Sequence, residues 1–382
     1  MNTMVDALLT PEQQKYLELA RKFTREKILP VAAQYDRTGE FPWPVVEAAR
    51  EIGLHCMTAP RAYGGPELDS VTISLIMEEF AYGCAGIATT LGGNGLSSYP
   101  VLIAGTEEQK KLFFGRLLAG GLGAFALTEP GAGSDAGAVS TSARREGDEY
   151  VINGTKCFIT TGAMADIFIV FASTNPTMKA RGLSAFIVER EREGISIGHE
   201  EDKMGIRASN TVEVRFNNVR VPADHLLGKE GEGFKIAMQT LDMARPIVGA
   251  IAVGVARAAL EECIDYVKSR MDGTKPLSAN QAVQFRIADM AMKVEAARLM
   301  VRRALALKEA GVPYSKESAM AKAYASDVAM EVTAEAVEIM GAVGYSKDSR
   351  VEKLMRDAKI TQIYEGTNQI QRIVIANNLL RS

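Results

Sequence analysis

The 382-residue chain has only three histidines, His55, His199 and His225, far apart and without the spacing of a metal site. That scarcity argues against a zinc enzyme or a histidine-based hydrolase. Its four cysteines, Cys56, Cys84, Cys157 and Cys263, are scattered rather than paired. Such usage speaks against a zinc site, a redox dithiol or a disulfide framework, and points to a reducing, cytoplasmic setting. A basic excess is also missing: 44 Lys and Arg face 47 Asp and Glu, for a formal charge of −3. Nothing is left over to neutralise a phosphate backbone, so nucleic acid is not the expected partner. The most apolar stretch, between Arg245 and Arg257, contains two glycines and is too short to span a bilayer. The opening MNTMVDALLTPEQQ has no basic segment leading into an apolar run and is not Arg-rich, so neither a secretory nor a transit leader is expected.

What is present is an ordinary globular balance, 47% apolar and 24% charged, long enough for two or three packed regions. The first third reads as helices. Thr10 suits an N-cap, Pro11 the first helical position and Gln13 the closing position of a capping box. Tyr16, Leu19, Ala20 and Phe23 then form one apolar stripe, and Pro30, Pro42 and Pro44 punctuate the residues after it. Further helices are predicted through 73–80, before Gly105, and over 107–118. Near Gly120 the pattern changes to short β-branched or alternating runs at 125–128, 150–153, 167–171, 183–188 and 212–216. Asn153-Gly154 and Asn175-Pro176 read as turns between them, so an antiparallel sheet or small barrel is expected. Long helices return after Glu232; Val283, Ile287, Met290, Val294 and Ala297 mark one face. The fold class expected is α+β, mostly α: a helical domain over 1–120, a β-domain over 121–231 and a helical bundle over 232–382.

Four segments carry candidate chemistry. In Phe125-Ala-Leu-Thr-Glu-Pro-Gly-Ala-Gly-Ser-Asp135 a strand runs into a Gly-rich loop whose backbone N–H groups can face an anion, though it is neither a P-loop nor a Rossmann fingerprint. In Lys156-Cys-Phe-Ile-Thr-Thr-Gly162 an aromatic lies beside two hydroxyls, suited either to a flat polar ring or to ordinary core. Asp242-Met-Ala-Arg245 places a charged pair at the head of the apolar helix, as a ligand anchor or a structural ion pair. The last segment runs from Arg356 to Gln369. There Glu365 sits between Tyr364 and Gly366, and Thr367 can cap the helix bearing Ile370, Ile373 and Val374. In an apolar pocket such a carboxylate gains basicity; on the surface it would be an ordinary solvated Glu.

Taken together, in this order, the segments resemble the acyl-CoA dehydrogenase family over essentially the whole chain, nearest to its short- and medium-chain members. The strings Thr-Glu-Pro-Gly-Ala-Gly-Ser-Asp and Arg-Asp-Ala-Lys-Ile-Thr-Gln-Ile-Tyr-Glu-Gly-Thr-Asn-Gln are long enough to outweigh the bland readings. The resemblance implies an N-terminal helical domain, a middle β-domain and a C-terminal four-helix bundle in a homotetramer that binds FAD. Flavin contacts would come from Leu127, Thr128 and Gly133, with Phe158, Ile159 and Thr160 beside the ring. Ser134 would lie near the FAD pyrophosphate or the CoA moiety. Thr367, Gln369 and the run Glu338, Ile339, Met340, Gly341, Ala342 would also hold FAD, partly from a neighbouring subunit. Asp242 and Arg245 would contact the CoA part of the substrate, with Tyr364 and Gly366 flanking it.

By the same resemblance Glu365 is the base that takes the α-proton of an acyl-CoA thioester while the β-hydride leaves to flavin N5, giving a trans-2-enoyl-CoA. Electrons would pass to an electron-transferring flavoprotein. Some relatives carry the base at the position of Ala244, which cannot serve here. Two departures stand out. The family's Arg-x-x-Phe-Gly appears as Arg270-Met-Asp-Gly-Thr274, which keeps the arginine and loses the aromatic, while Gln281 still matches. Leu91-Gly-Gly-Asn94 falls where side chains close the acyl pocket, and Gly92 and Gly93 suggest a medium, branched or cyclic acyl group. The rival readings are an acyl-CoA oxidase, an enoyl-CoA reductase within an electron-bifurcating complex, and a non-catalytic scaffold.

Overall fold

A computed structural model describes residues 9–380. The first eight residues of the stretch inspected for a leader lie outside the described residues. Helix α1 (Pro11–Phe23) opens with the expected capping box between Thr10 and Gln13 and continues through one π-turn into α2 (Leu29–Thr38). Then come α3 (Trp43–Glu51), α4 (Ser70–Gly83), α5 (Ala85–Ala104) and α6 (Glu107–Leu118). A second capping box, Thr106 with Gln109, starts α6 at the predicted residue.

The sheet comes next: β1 (Gly123–Ala126), β2 (Ser142–Glu146), β3 (Glu149–Thr160), β4 (Ile167–Ser173), β5 (Leu183–Glu189), β6 (Ile195–Glu200), β7 (Thr211–Pro222) and β8 (Leu226–Leu227). The strand order is β6-β7-β3-β2-β4-β5-β8, with β1 beside β4. Every residue of β4 and β5 is buried, because α5, α6 and the side chains around Phe234 cover one face while Tyr150, Val214 and Phe216 fill the other.

Two expectations need correction here. The sheet is not purely antiparallel: β1 runs parallel to β4, Gly123 opposite Ile167, because the β2–β3 hairpin lies between them in sequence and lets the chain cross over. Asn153-Gly154 is not a turn but a register shift inside β3 against β7. A Cβ at Gly154 would come within 2.3 Å of Thr141 Oγ1, so close approach of a neighbouring segment, not reversal of the chain, requires the glycine. The reversal falls at Gly147, φ +63°, between β2 and β3.

The last region begins with α7 (Gly233–Ser269), nine residues before Asp242, so the charged pair sits inside the helix rather than at its head. A two-stranded hairpin, β9 (Met271–Asp272) and β10 (Lys275–Pro276), leads to α8 (Gln281–Glu309). After it come α9 (Ser315–Met340), α10 (Ala342–Tyr345), α11 (Arg350–Thr361) and α12 (Asn368–Leu380). Helix α7 packs against both α9 and α4, so one apolar core joins the first and last helical regions. On α8 the predicted face turns inward, while Phe285, Met292 and Leu299 form an exposed stripe at seven-residue spacing. Among the described residues, no helix is long and apolar enough to cross a membrane.

Candidate active site

Glu365 lies in the loop between α11 and α12, with φ +53°, followed by Gly366 at +89°. Two successive left-handed residues need outside support, since a non-glycine residue there is strained by roughly 1–3 kcal/mol. Support comes from two side chains. Gln371 Nε2 donates to the carbonyls of Glu365 (3.3 Å) and Gly366 (2.8 Å), and Lys322 Nζ donates to the Gly366 carbonyl at 2.8 Å. The expected cap is present: Thr367 Oγ1 accepts the Ile370 N–H at 3.4 Å. Glu365 Oε2 is enclosed and has no hydrogen-bond partner. Burial pushes the Glu365 carboxyl up to about 7, against the opposing pull of the Lys322 and Arg245 cations.

Arg245 reaches this centre from α7. Its side chain is almost fully buried; Nη1 bonds Asp242, and Nε is enclosed without a partner. Asp242 in turn accepts from Ser315 Oγ at 3.0 Å. Burial raises the Asp242 carboxyl above its ordinary range and lowers the Arg245 guanidinium, each moderated by the other's charge. Tyr99 of α5 and Tyr364 also face the Glu365 charge, and burial holds both phenols neutral.

A second group of expected residues lies in the β-domain. Lys156 Nζ donates to Glu129 Oε1 (2.7 Å) and to the Leu127 carbonyl (2.9 Å), while the Cys157 N–H donates to the Thr128 carbonyl (2.9 Å). Glu129 also accepts from Ser140 and Thr141, so the residues just past β1 are tied at several points. Phe158 sits at the bulge near the end of β3 with φ +55° and is 61% exposed, while Ile159 beside it is buried and Thr160 half-buried. A large aromatic left uncovered beside a hydroxyl is a surface awaiting a ring. Ser134 is exposed in the Gly-rich loop, where a Cβ at Gly131 or Gly133 would meet open space. These features fit a dinucleotide with a flat ring and an anionic linker.

The remaining expected residues fall into two other places. Thr367 and Gln369 line a polar cleft of about 360 Å³ with Asp327, Lys359, Gln362 and Arg372. Arg270 and Gln281 flank the β9–β10 hairpin, and Glu338, Ile339, Met340, Gly341 and Ala342 span the junction of α9 and α10. An ion pair from Arg286 to Glu338 at 3.3 Å joins the start of α8 to this junction. Glu338 lies sixteen residues beyond Lys322 on α9, roughly 24 Å away at helical rise, so this group stands apart from Glu365 within one chain.

Three members of the site were not singled out in the sequence: Lys322, Tyr99 and the partnership of Glu129 with Lys156. Lys322 had a readable signal. Ser318, Lys322, Ser326, Ala329 and Thr333 form a fully buried stripe at steps of four, four, three and four, and a lone lysine in a stripe of small residues is unusual.

The comparisons with known proteins agree with this architecture. Models of the acyl-CoA dehydrogenase N-terminal, middle and C-terminal domains match residues 10–121, 124–219 and 231–380. An acyl-CoA dehydrogenase of Bacillus subtilis (strain 168) is 44% identical over 374 residues, covering 97% of this chain and 99% of that one. Butyryl-CoA dehydrogenase from Megasphaera elsdenii superposes with a TM-score of 0.95 at 45% identity, covering 98% and 99% of the two chains. A chain solved in work on the electron transferring flavoprotein of Acidaminococcus fermentans and flavin-based electron bifurcation gives a TM-score of 0.96 at 45% identity, with 98% and 99% covered. With three matching domains and relatives of this identity along nearly its full length, the chain belongs to the acyl-CoA dehydrogenase family and is an FAD-dependent acyl-CoA dehydrogenase.

Proposed function

We propose that Glu365 is the base of an α,β-dehydrogenation that converts an acyl-CoA thioester into a trans-2-enoyl-CoA. The observation that carries this reading is the enclosed, partnerless Glu365 Oε2 on a carboxyl raised to about 7. A carboxylate so placed can take the α-proton at that oxygen near neutral pH, and its neutral form then suits the buried site. Bound FAD supplies the acceptor for the β-hydride at N5. Leu127, Thr128, Gly133, Phe158, Ile159 and Thr160 would hold it, with Ser134 at its phosphates or at the CoA. Arg245 and Asp242 orient the CoA side of the substrate, and Tyr364 and Gly366 flank its acyl end. Buried Ala244 leaves α7 without a rival carboxylate at that position.

The acyl group proposed is medium, branched or cyclic. A Cβ at Gly92 would lie 2.9 Å from the terminal methyl of buried Met77, a flexible thioether that can yield. At Gly93 the neighbour is Thr161, with its Cγ2 at 3.4 Å. Electron-transferring flavoprotein is the proposed acceptor, and four buried free cysteines suit a cytoplasmic location. A homotetramer is supported by the exposed stripe of Phe285, Met292 and Leu299, and it would bring Arg270, Gln281, Glu338–Ala342, Thr367 and Gln369 to a neighbour's FAD. A reductive role beside a bifurcating flavoprotein is the second reading, favoured by the work from which the Acidaminococcus fermentans chain comes.

Anaerobic flavin bleaching with linear, branched and cyclic acyl-CoAs tests the proposal. Bleaching in the wild type and its loss in Glu365→Gln is the expected result; bleaching that survives in the variant assigns the base elsewhere. A flavin-loaded wild type that no acyl-CoA bleaches, yet that an enoyl-CoA reoxidises after chemical reduction, would favour the reductive role.

A further inference from the structure

Lys322 lies on α9, inside the apolar core, and no part of it reaches solvent. An ammonium in such a place needs acceptors, and both of those bonded here are neutral: the Gly366 carbonyl at 2.8 Å and Asn368 Oδ1 at 3.0 Å. Asn368 is turned toward the lysine by its other end, since Nδ2 donates to Ser326 Oγ (2.8 Å) and to Asp327 Oδ1 (2.7 Å). The hydrogen bonds therefore fix direction as well as distance: Asp327 orients Asn368, and Asn368 and Gly366 together hold the ammonium. Two carboxylates bear on this charge, Asp327 behind Asn368 and, with the larger effect, Glu365, which stands one residue before the carbonyl that Lys322 grips.

Resting on the assignment of Glu365 as the base, we propose that Lys322 is a positioning residue for it: the ammonium holds the loop that aims Glu365 and keeps a positive charge beside its carboxylate. Two properties are separable. As a donor, Lys322 pins the Gly366 carbonyl and with it the left-handed pair Glu365–Gly366. Burial brings the Lys322 ammonium down to about 7, against the pull of the Glu365 charge, so near neutral pH the two groups share their protonation. In its charged form Lys322 favours the ionised, proton-accepting form of Glu365. The other groups facing Glu365 are Arg245 from α7, Tyr99 from α5 and Tyr364 on the same loop. Arg245 is already engaged by Asp242 and faces Tyr314, and Asp327 lies on the far side of Lys322. Burial keeps the three phenols neutral, so Lys322 and Arg245 are the two cations that bear on the base.

The test uses the full-length FAD-loaded protein with Lys322→Met, which removes donor and charge, and Lys322→Gln, which keeps a donor without charge. Anaerobic mixing with the acyl-CoA that bleaches the wild type fastest gives rate, substrate affinity and pH profile together. For Lys322→Met we expect the bleaching rate at pH 7 to fall at least about tenfold while the substrate Kd stays within about threefold. The midpoint of its rate–pH curve should move up by about one unit, because the carboxylate loses a neighbouring cation. Lys322→Gln should share the raised midpoint but regain part of the plateau rate. A lysine that merely fills the core would leave that midpoint alone. Either variant, folded and flavin-loaded, with wild-type rate and midpoint would overturn the proposal; if Lys322→Met does not fold, Lys322→Gln carries the test. Amide exchange over residues 364–368 provides a readout independent of turnover. Should Glu365→Gln still bleach, the base assignment fails, and unchanged exchange in Lys322→Met would then remove the loop-holding role as well.

Discussion

The ammonium of Lys156 and the carboxylate of Glu129 meet at 2.7 Å with solvent kept from both side chains. Burial and pairing oppose each other at both ends. At Glu129 burial raises the carboxyl, but Lys156 and the donors of Ser140 and Thr141 overcome it and hold the group at about 2; at Lys156 burial prevails and brings the ammonium down to about 8. The pair is held in its ionised form, since three donors besides Lys156 Nζ converge on the carboxylate. Glu129→Gln leaves a buried ammonium without its counter-charge, so a loss of about 3 kcal/mol in unfolding free energy is expected, with weaker flavin retention. Denaturant titration and flavin release on dilution measure the two effects. Because the folded carboxyl lies below its unfolded value, the wild-type contribution is present above about pH 4.5 and fades as pH falls toward 2.

Glu365 has the opposite sign. Its folded carboxyl is raised from 4.5 to about 7, so the protonated form is the one that folding favours, and stability declines as pH rises between those values. Two outcomes are expected of Glu365→Gln. Dehydrogenation should fall by about 10²–10⁴-fold, while the melting temperature should exceed that of wild type at pH 8 and match it near pH 4.5. In the wild type, kcat/KM should rise with pH up to about 7 and then level. A profile flat from pH 5 to 8 would contradict the raised carboxyl.

Gly366→Ala isolates loop geometry from chemistry. The residue sits at φ +89°, and a Cβ would come within 2.8 Å of Gln371 Nε2, the donor that holds the loop. Activity should drop by about tenfold with flavin content unchanged, a strain of about 1–2 kcal/mol transmitted to the position of Glu365.

Gly92→Ala tests the proposed acyl pocket. The added methyl meets the end of Met77, whose flexible thioether can yield, so linear short acyl-CoAs should be little affected and branched or cyclic ones slowed several-fold. A wild-type chain-length profile peaking sharply at butyryl-CoA would defeat the proposal of a wider pocket.

The stripe on α8 offers a test of assembly. Phe285→Glu together with Leu299→Glu places charge on an exposed apolar row, and light scattering should report smaller particles than the wild type gives. Unchanged mass would mean that this row is not a contact between copies.

Local information made much of this molecule readable. The capping box at Thr10, the period of α8 and the Tyr364-Glu365-Gly366 string all announce themselves within a few residues. What escaped was non-local. Gly154 reads as a turn beside Asn153 until Thr141 is known to lie against it. Neither Glu129 nor Lys156 points to the other in the sequence, because 27 residues separate them and only the sheet brings them together. Lys322 acquires its meaning from a carbonyl 44 residues away. The Asp242–Arg245 pair was legible as a pair, but its proximity to Glu365 required α7 and α11 to be packed side by side.

The parallel pairing of β1 with β4 bears on how the protein is made. Gly123 must wait for Ile167, 44 residues downstream, before its strand has a partner, whereas the surrounding helices need only their own turns. Closing so long a loop costs entropy in advance of any contact that rewards it. Leu127 and Thr128, which continue directly from β1, are therefore set only once that pairing forms. A newly synthesised chain can form the turns of its first helices before this strand has a partner, and the segment proposed to meet the flavin is set only after β4 has been made.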